Sequence, residues 1–152
     1  MKTAEAMVKE KGLEILSVGP ETTIFEALQV MLKHRIGAIL VKKDDQYVGI
    51  WTERDLMANT VLPGFDPKTA LIKDYMVQGL QTASCNEPVY KLFDKFLGIR
   101  LRHLLIEKEG KYLGLLSTGD VMKTFLVEKS LELEELNSIV SWEYYENWRW
   151  NK

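Results

Sequence analysis

The chain has one cysteine, two histidines, four prolines and no excess of positive charge in its 152 residues. Each scarcity removes a class of explanation. The lone Cys85 cannot form a disulfide within the chain, so the fold must stand on its apolar core, which fits a reducing cytoplasm. Cys85 precedes Asn86-Glu87-Pro88, a loop-to-helix junction, where a small filler is a better reading than a nucleophile. The histidines, His34 and His103, lie far apart with no metal-ligand spacing around them. There is no His-Glu-x-x-His, no P-loop and no Gly-x-Ser-x-Gly. Asp44-Asp45 read as turn formers and Glu134-Glu135 as a helix surface, so the sequence predicts neither an enzyme nor a metal site. A formal net charge of -2 leaves no electrostatic footprint for duplex nucleic acid, although a local basic pocket for a small anion is compatible with it. No run approaches the roughly 18 apolar residues that span a bilayer. The N-terminal "MKTAEAMVKEKG" lacks the apolar stretch of a secretory signal. A soluble cytoplasmic protein is expected.

A hydrophobic content of 46% is enough for one compact domain, or for two small halves sharing a core. The order of residues favours halves. "IGAILVKKDDQYVGIWTERDLM" (36–57) aligns without a gap on "LRHLLIEKEGKYLGLLSTGDVM" (101–122). Leu40/Leu105, Lys43/Lys108, Tyr47/Tyr112, Gly49/Gly114, Asp55/Asp120 and Met57/Met122 are identical, and Thr52/Ser117 keeps a hydroxyl. Upstream, at the same offset, Ile24, Phe25, Leu28 and Met31 pair with Val89, Tyr90, Phe93 and Phe96. Such self-similarity marks a duplicated structural unit.

Each copy reads as a short leading strand, a helix, a hairpin and a second helix. "LEILSV" and "LQTAS" are the leading strands. Apolar residues at 24, 25, 28, 31 and 32 form the first helical stripe, capped by Thr22 or Thr23; Val89, Leu92, Phe93, Phe96 and Leu97 form the second. Pro88 suits a first helical turn. Two apolar runs around a polar turn, "KKDDQ" or "EKEGK", form each hairpin. Thr52 and Ser117 then stand where strand gives way to helix. The predicted architecture is α/β (α+β): repeat 1 at 1–61, a Pro/Gly linker at 62–70, repeat 2 at 71–128, and a C-terminal helix with an aromatic-rich tail at 129–152.

The order helix, apolar strand, turn, Gly-h-h-[Ser/Thr]-x-x-Asp, helix, present twice, resembles the CBS domain. That family is named after cystathionine β-synthase and occurs as tandem pairs. The resemblance covers about residues 1–128; "DYMV" at 74–77 resembles the segment that opens a second repeat, and "AEAMV" at 4–8 is a looser version. It implies two βαββα repeats packed sheet to sheet with pseudo-twofold symmetry, and modules that often pair into homodimers. The implied activity is regulatory: clefts between repeats bind an adenosine-containing ligand, with AMP the first expectation and ADP, ATP or S-adenosylmethionine the others.

The chemistry has its own logic. Asp55 and Asp120 lie in a first helical turn, where free backbone N–H groups and the helix dipole favour a carboxylate. Such a group can accept both hydroxyls of a ribose, as carboxylates do in dinucleotide sites on another fold. Thr52 and Ser117 can meet ribose or phosphate beside it. The plain alternative is that the hydroxyls are N-caps and the aspartates their dipole partners; the two readings are compatible. By resemblance, Ile15, Leu16 and Ser17 would line the adenine slot facing Asp120, and Gln81, Thr82 and Ala83 the slot facing Asp55. Phosphate contacts would fall to Arg102 and His103 in the second copy, where the first has Gly37 and Ala38, and to Arg54, which Gly119 replaces in the second.

The family pattern does not cover the tail, where Trp142, Tyr144, Tyr145, Trp148 and Trp150 crowd into nine residues. Left exposed they would be adhesive, so a dimer contact or a cover over the protein's own body is expected, with partner docking as the alternative. Two functions follow: a stand-alone nucleotide sensor acting on an unidentified protein, or a ligand-free dimerising adaptor that presents the tail.

Overall fold

The computed structural model describes residues 1–149, and the side chains of residues 1–138. In chain order the elements are α1 (Ala4–Lys11), β1 (Ser17–Val18), α2 (Ile24–His34), β2 (Ala38–Lys43), β3 (Gln46–Thr52), α3 (Glu53–Thr60), a 3-10 turn (Ile72–Asp74), β4 (Thr82–Ser84), α4 (Val89–Ile99), β5 (His103–Lys108), β6 (Lys111–Ser117) and α5 (Thr118–Arg149). They form two compact units: Glu14–Gln81, and Met1–Leu13 together with Thr82–Lys152. Sequence repeat and packed body therefore differ in two respects, the first being that residues 71–81, which open the second repeat, pack with the first sheet. The second is that the N-terminal helix, which precedes the first repeat's leading strand, belongs with the second sheet.

Each unit holds a three-stranded sheet, β1-β2-β3 or β4-β5-β6, whose first pair is parallel and second antiparallel. The register repeats: Ala38 faces Thr52 as His103 faces Ser117, and both hairpins slip by a residue after Val41 and Ile106. The turns are alike for one reason. Asp44 and Asp45 have φ of 48° and 62°, and Glu109 and Gly110 have 51° and 77°. Two consecutive left-handed residues match the right-handed twist of the flanking strands.

The first helix of each unit shows how the sequence chooses its buried face. Thr23 caps α2 by a reciprocal box. Its Oγ1 accepts from the Glu26 N–H (3.2 Å) and the Glu26 carboxylate accepts from the Thr23 N–H (2.9 Å). Pro88 occupies the corresponding N-cap of α4 with no side-chain bond, one residue earlier than its expected place inside the helix. The buried stripe of α2 is Ile24, Ala27 and Met31, while Phe25 and Leu32 are exposed. Leu97 is exposed on α4 for the same reason. One step along a helix turns the side chain by about 100°, so residues adjacent to the 24/27/31 row leave the core face.

Each unit has a core of its own. Trp51, Ile24, Met31, Ile39, Val41 and Ile72 close the Glu14–Gln81 unit. Met7, Val89, Leu92, Phe96, Leu104, Ile106 and Leu116 close the other. Each such side chain contributes roughly 1.5–3 kcal/mol by leaving water.

Gly49 and Gly114 are repeat mates on β3 and β6, and each lies under a packed segment. A Cβ on Gly114 would overlap Val8 Cγ1 of α1, and one on Gly49 would overlap Met76 Sδ. The missing side chains are what allow these segments to lie flat on the sheets. The helix α5 carries Leu126, Val127, Leu131, Leu133 and Leu136 exposed. The side chains of Trp142, Tyr144, Tyr145 and Trp148, and the whole of Trp150, lie outside the described residues.

Candidate functional site

Where β3 ends, Thr52 turns extended (φ -130°, ψ 167°) and caps α3. Its Oγ1 accepts from the Asp55 N–H (3.4 Å), while Asp55 Oδ2 accepts from the Thr52 N–H (2.9 Å) and hydroxyl (3.0 Å). The second unit repeats this at the start of α5. Ser117 Oγ accepts from the Asp120 N–H (3.2 Å), and Asp120 Oδ2 accepts from the Ser117 N–H and hydroxyl, both at 2.8 Å. The capping reading is thus correct as far as it goes: each hydroxyl–aspartate pair is a closed box that starts a helix. The boxes engage Oδ2 alone. Among the described residues no hydrogen bond involves Oδ1 of either aspartate, and neither atom is sealed from solvent.

One partner escaped the sequence reading. Lys11, in the last turn of α1, places its Nζ 2.7 Å from Asp120 Oδ2 and 3.0 Å from the Leu115 carbonyl oxygen. Burial pushes the Asp120 carboxyl up, but Lys11 and the two Ser117 donors outweigh it, and the group is held below the ordinary aspartate range. Beyond this pair lies a groove of ≈ 280 Å³, lined also by Lys2, Glu10, Lys123 and Thr124.

The groups assigned to phosphate lie beside the boxes. The Arg102 carbonyl accepts from the Thr118 N–H (3.0 Å), which joins the strand start to the helix start; the Arg102 side chain is exposed. His103 faces Ser117 across the ladder. In the other unit Arg54 is exposed one residue before Asp55, and the Gly37 carbonyl accepts from Glu53 N–H in place of an arginine's. Of the adenine candidates, half-buried Ile15, Leu16 and Ser17 belong to the unit that carries Asp55. Gln81 closes that unit; Thr82 and Ala83 open β4 in the other, with Ala83 in its core. Among the described residues no His, Cys, Asp and Glu cluster is fit to hold a metal. Nor is any helix among them long and apolar enough to cross a membrane.

Residues 5–61 and 72–127 each match the CBS domain family. The chain belongs to the CBS domain family. Its fold agrees with solved members: a CBS-domain containing protein from Agrobacterium tumefaciens superposes with a TM-score of 0.75 at 30% identity, covering 81% of this chain and 98% of that one. A mitochondrial CBS domain-containing protein of Arabidopsis thaliana is 28% identical over 129 residues, which are 82% of this chain and 63% of that protein. A Methanopyrus kandleri protein is 31% identical over 115 residues, 72% of this chain and 57% of the relative. The chain thus spans about three-fifths of the length of these curated relatives. Inosine-5′-monophosphate dehydrogenase of Methanocaldococcus jannaschii is 26% identical over 124 residues, but those are 23% of its length, so the similarity does not bring that enzyme's chemistry here. Tandem CBS domains are generally regulatory ligand-sensing modules.

The Lys11–Asp120 pair gives this CBS protein a specific acid response. Asp120 titrates lower in the folded chain than in the unfolded one, where an aspartate titrates near pH 4. Its stabilising contribution is therefore complete above about pH 4 and is lost as pH falls through the lower folded value. The charged groups around it are Lys11, Lys2, Glu10 and Lys123. Because Glu5 and Glu10 on α1 are also held low by lysines, the readout is the Ser117 amide, which donates to Asp120. Its NMR titration is expected to show a step below about pH 4 that is missing in Asp120→Asn. Its persistence in that variant would assign the step to another group.

Proposed function

We propose that this tandem CBS protein is a sensor of an adenosine-containing nucleotide, AMP first among AMP, ADP, ATP and S-adenosylmethionine. In this reading the ribose diol donates to Asp55 and Asp120, with Thr52 and Ser117 beside it. Arg102, His103 and Arg54 supply phosphate contacts. The observation that carries it is the spare oxygen: each box holds a half-buried aspartate by Oδ2, and among the described residues no hydrogen bond takes up its Oδ1. A diol offers two donors in the span of one carboxylate, and a helix start keeps that carboxylate charged.

The receiver of the signal is another protein, and the sensor acts as a homodimer. Self-association is favoured by the repeat itself. Phe25 and Tyr90, Leu32 and Leu97, Met57 and Met122, and Val61 and Leu126 are repeat mates, and all eight are exposed. Large apolar residues held at equivalent exposed places in both copies point to covered faces, because isolated ones would carry no such pairing.

Melting in the presence of each of the four ligands tests the reading. Binding to the folded chain stabilises it by mass action, about 2.7 kcal/mol at a hundredfold excess over Kd. Asp55→Ala and Asp120→Ala are each expected to lose part of the rise in Tm, and the double variant all of it. No shift with any ligand, from a chain that sediments as a dimer, would replace the sensor with the adaptor. Turnover of ligand over hours would make it an enzyme.

A further inference from the structure

Lys11 has no counterpart in the Glu14–Gln81 unit. Gly49 and Gly114 fix the comparison: Met76 covers the first and Val8 the second, so Met76 and Val8 occupy equivalent seats. The bridges agree, because Leu71 pairs with Thr23 as Thr3 pairs with Pro88, and Thr23 and Pro88 are repeat mates. Three residues beyond Val8 stands Lys11; three beyond Met76 stands Gly79. The backbones also differ. Residues 4–11 form a two-turn helix that carries Lys11 to Asp120. Residues 72–74 form one 3-10 turn, after which Val77 bridges Ile50. Nearby Lys73 is committed to Glu21. Among the described residues no ammonium reaches Asp55, whose Oδ2 serves Thr52 alone.

Acceptor capacity turns this difference into an order of affinity. A carboxylate oxygen has about two lone-pair directions. Asp55 Oδ2 receives two donors; Asp120 Oδ2 receives three, one of them charged. A diol that needs both carboxylate oxygens must take up one of those places. At Asp55 only the Thr52 hydroxyl has to rotate. At Asp120 an ion pair must yield, and Lys11 is doubly held because it also donates to the Leu115 carbonyl.

We infer that Lys11 sets the ranking of the two diol sites: the Asp55 site fills first, and filling of the Asp120 site displaces Lys11 and loosens the end of α1. This rests on the diol reading of the aspartates. The groove's other carboxylate, Glu10, is already paired with Lys2, so the released ammonium exchanges its anion for solvent. Ligand at the second site is thereby coupled to the docking of the N-terminal helix, which ligand at the first leaves untouched. The device needs no movement of the sheet.

Calorimetric titration with AMP, and with 2′-deoxy-AMP as a probe without the diol, tests this on the full chain. Two affinity classes are expected; Asp55→Ala removes the tighter and Asp120→Ala the weaker. Lys11→Met should tighten the weaker class for AMP by roughly threefold to tenfold, the scale of a partly exposed ion pair. It should leave the tighter class and the response to 2′-deoxy-AMP unchanged. Lys11→Gln, with an unchanged Tm, guards against a folding effect. A wild-type chain with a single class that gains a second in Lys11→Met also supports the ranking. Binding that is the same with and without Lys11, or weaker at Asp120 without it, overturns the ranking and leaves the sensor standing. No binding of AMP to any variant overturns both.

Discussion

Replacing Trp51 by alanine is expected to cost about 3–5 kcal/mol, enough to unfold the Glu14–Gln81 unit under mild conditions. Trp51 is wholly buried among Ile24, Met31, Ile39, Val41 and Ile72. Its Nε1 donates to Asn59 Oδ1 at 2.9 Å, and Asn59 is the one buried polar residue among those described. Alanine would leave a cavity and an unpaired buried amide together, and the two costs add. The site is affected as well, because Trp51 immediately precedes Thr52 and Asn59 lies on the helix that Thr52 starts. The repeat supplies a control. The mates of Trp51 and Asn59 are Leu116 and Thr124. Trp51→Leu alone orphans Asn59, whereas Trp51→Leu with Asn59→Thr copies the other unit and removes the orphan. Urea denaturation followed by circular dichroism should therefore show the double variant more stable than the sum of the single losses. An alanine variant with an unchanged midpoint would mean that this core is not what holds the unit.

Gly114→Val should dislodge α1 from the sheet at a cost of about 1–3 kcal/mol. The new side chain would strike Val8, and valine is stiff at χ1 with no flexible end to withdraw. The effect reaches the site through Lys11. With α1 lifted, the ammonium leaves Asp120, and the carboxyl is expected to move up from its lowered titration. Hydrogen exchange of the residue 4–11 amides should quicken while the β4–β6 amides stay protected. Gly49→Ala meets Met76 instead, a thioether able to change rotamer, so a smaller loss is expected there. Equal losses at the two glycines, with α1 still protected in Gly114→Val, would show that the helix is not seated through this contact.

Much of the architecture was legible because it rests on local spacing. A capping box joins residues three apart, so Thr52 with Asp55 and Ser117 with Asp120 can be read directly along the chain. The hairpins, their turns and the 65-residue register are local in the same sense. The stripes were less legible. Apolar periodicity placed Phe25, Leu32 and Leu97 with the core, but the geometry of each helix against its sheet turned them outward. Composition cannot separate a core-facing leucine from one a turn-step away that is kept apolar for another surface.

The sequence by itself determined the two-copy plan, the family and the two carboxylates at helix starts, since all three depend on residues close together or on a register that repeats. Tertiary structure alone decided which sheet the N-terminal helix covers and that Lys11 meets Asp120 across 109 positions. Local pairs are encoded in spacing. A contact between distant residues exists only once the chain has folded back, and no pattern at either end announces it.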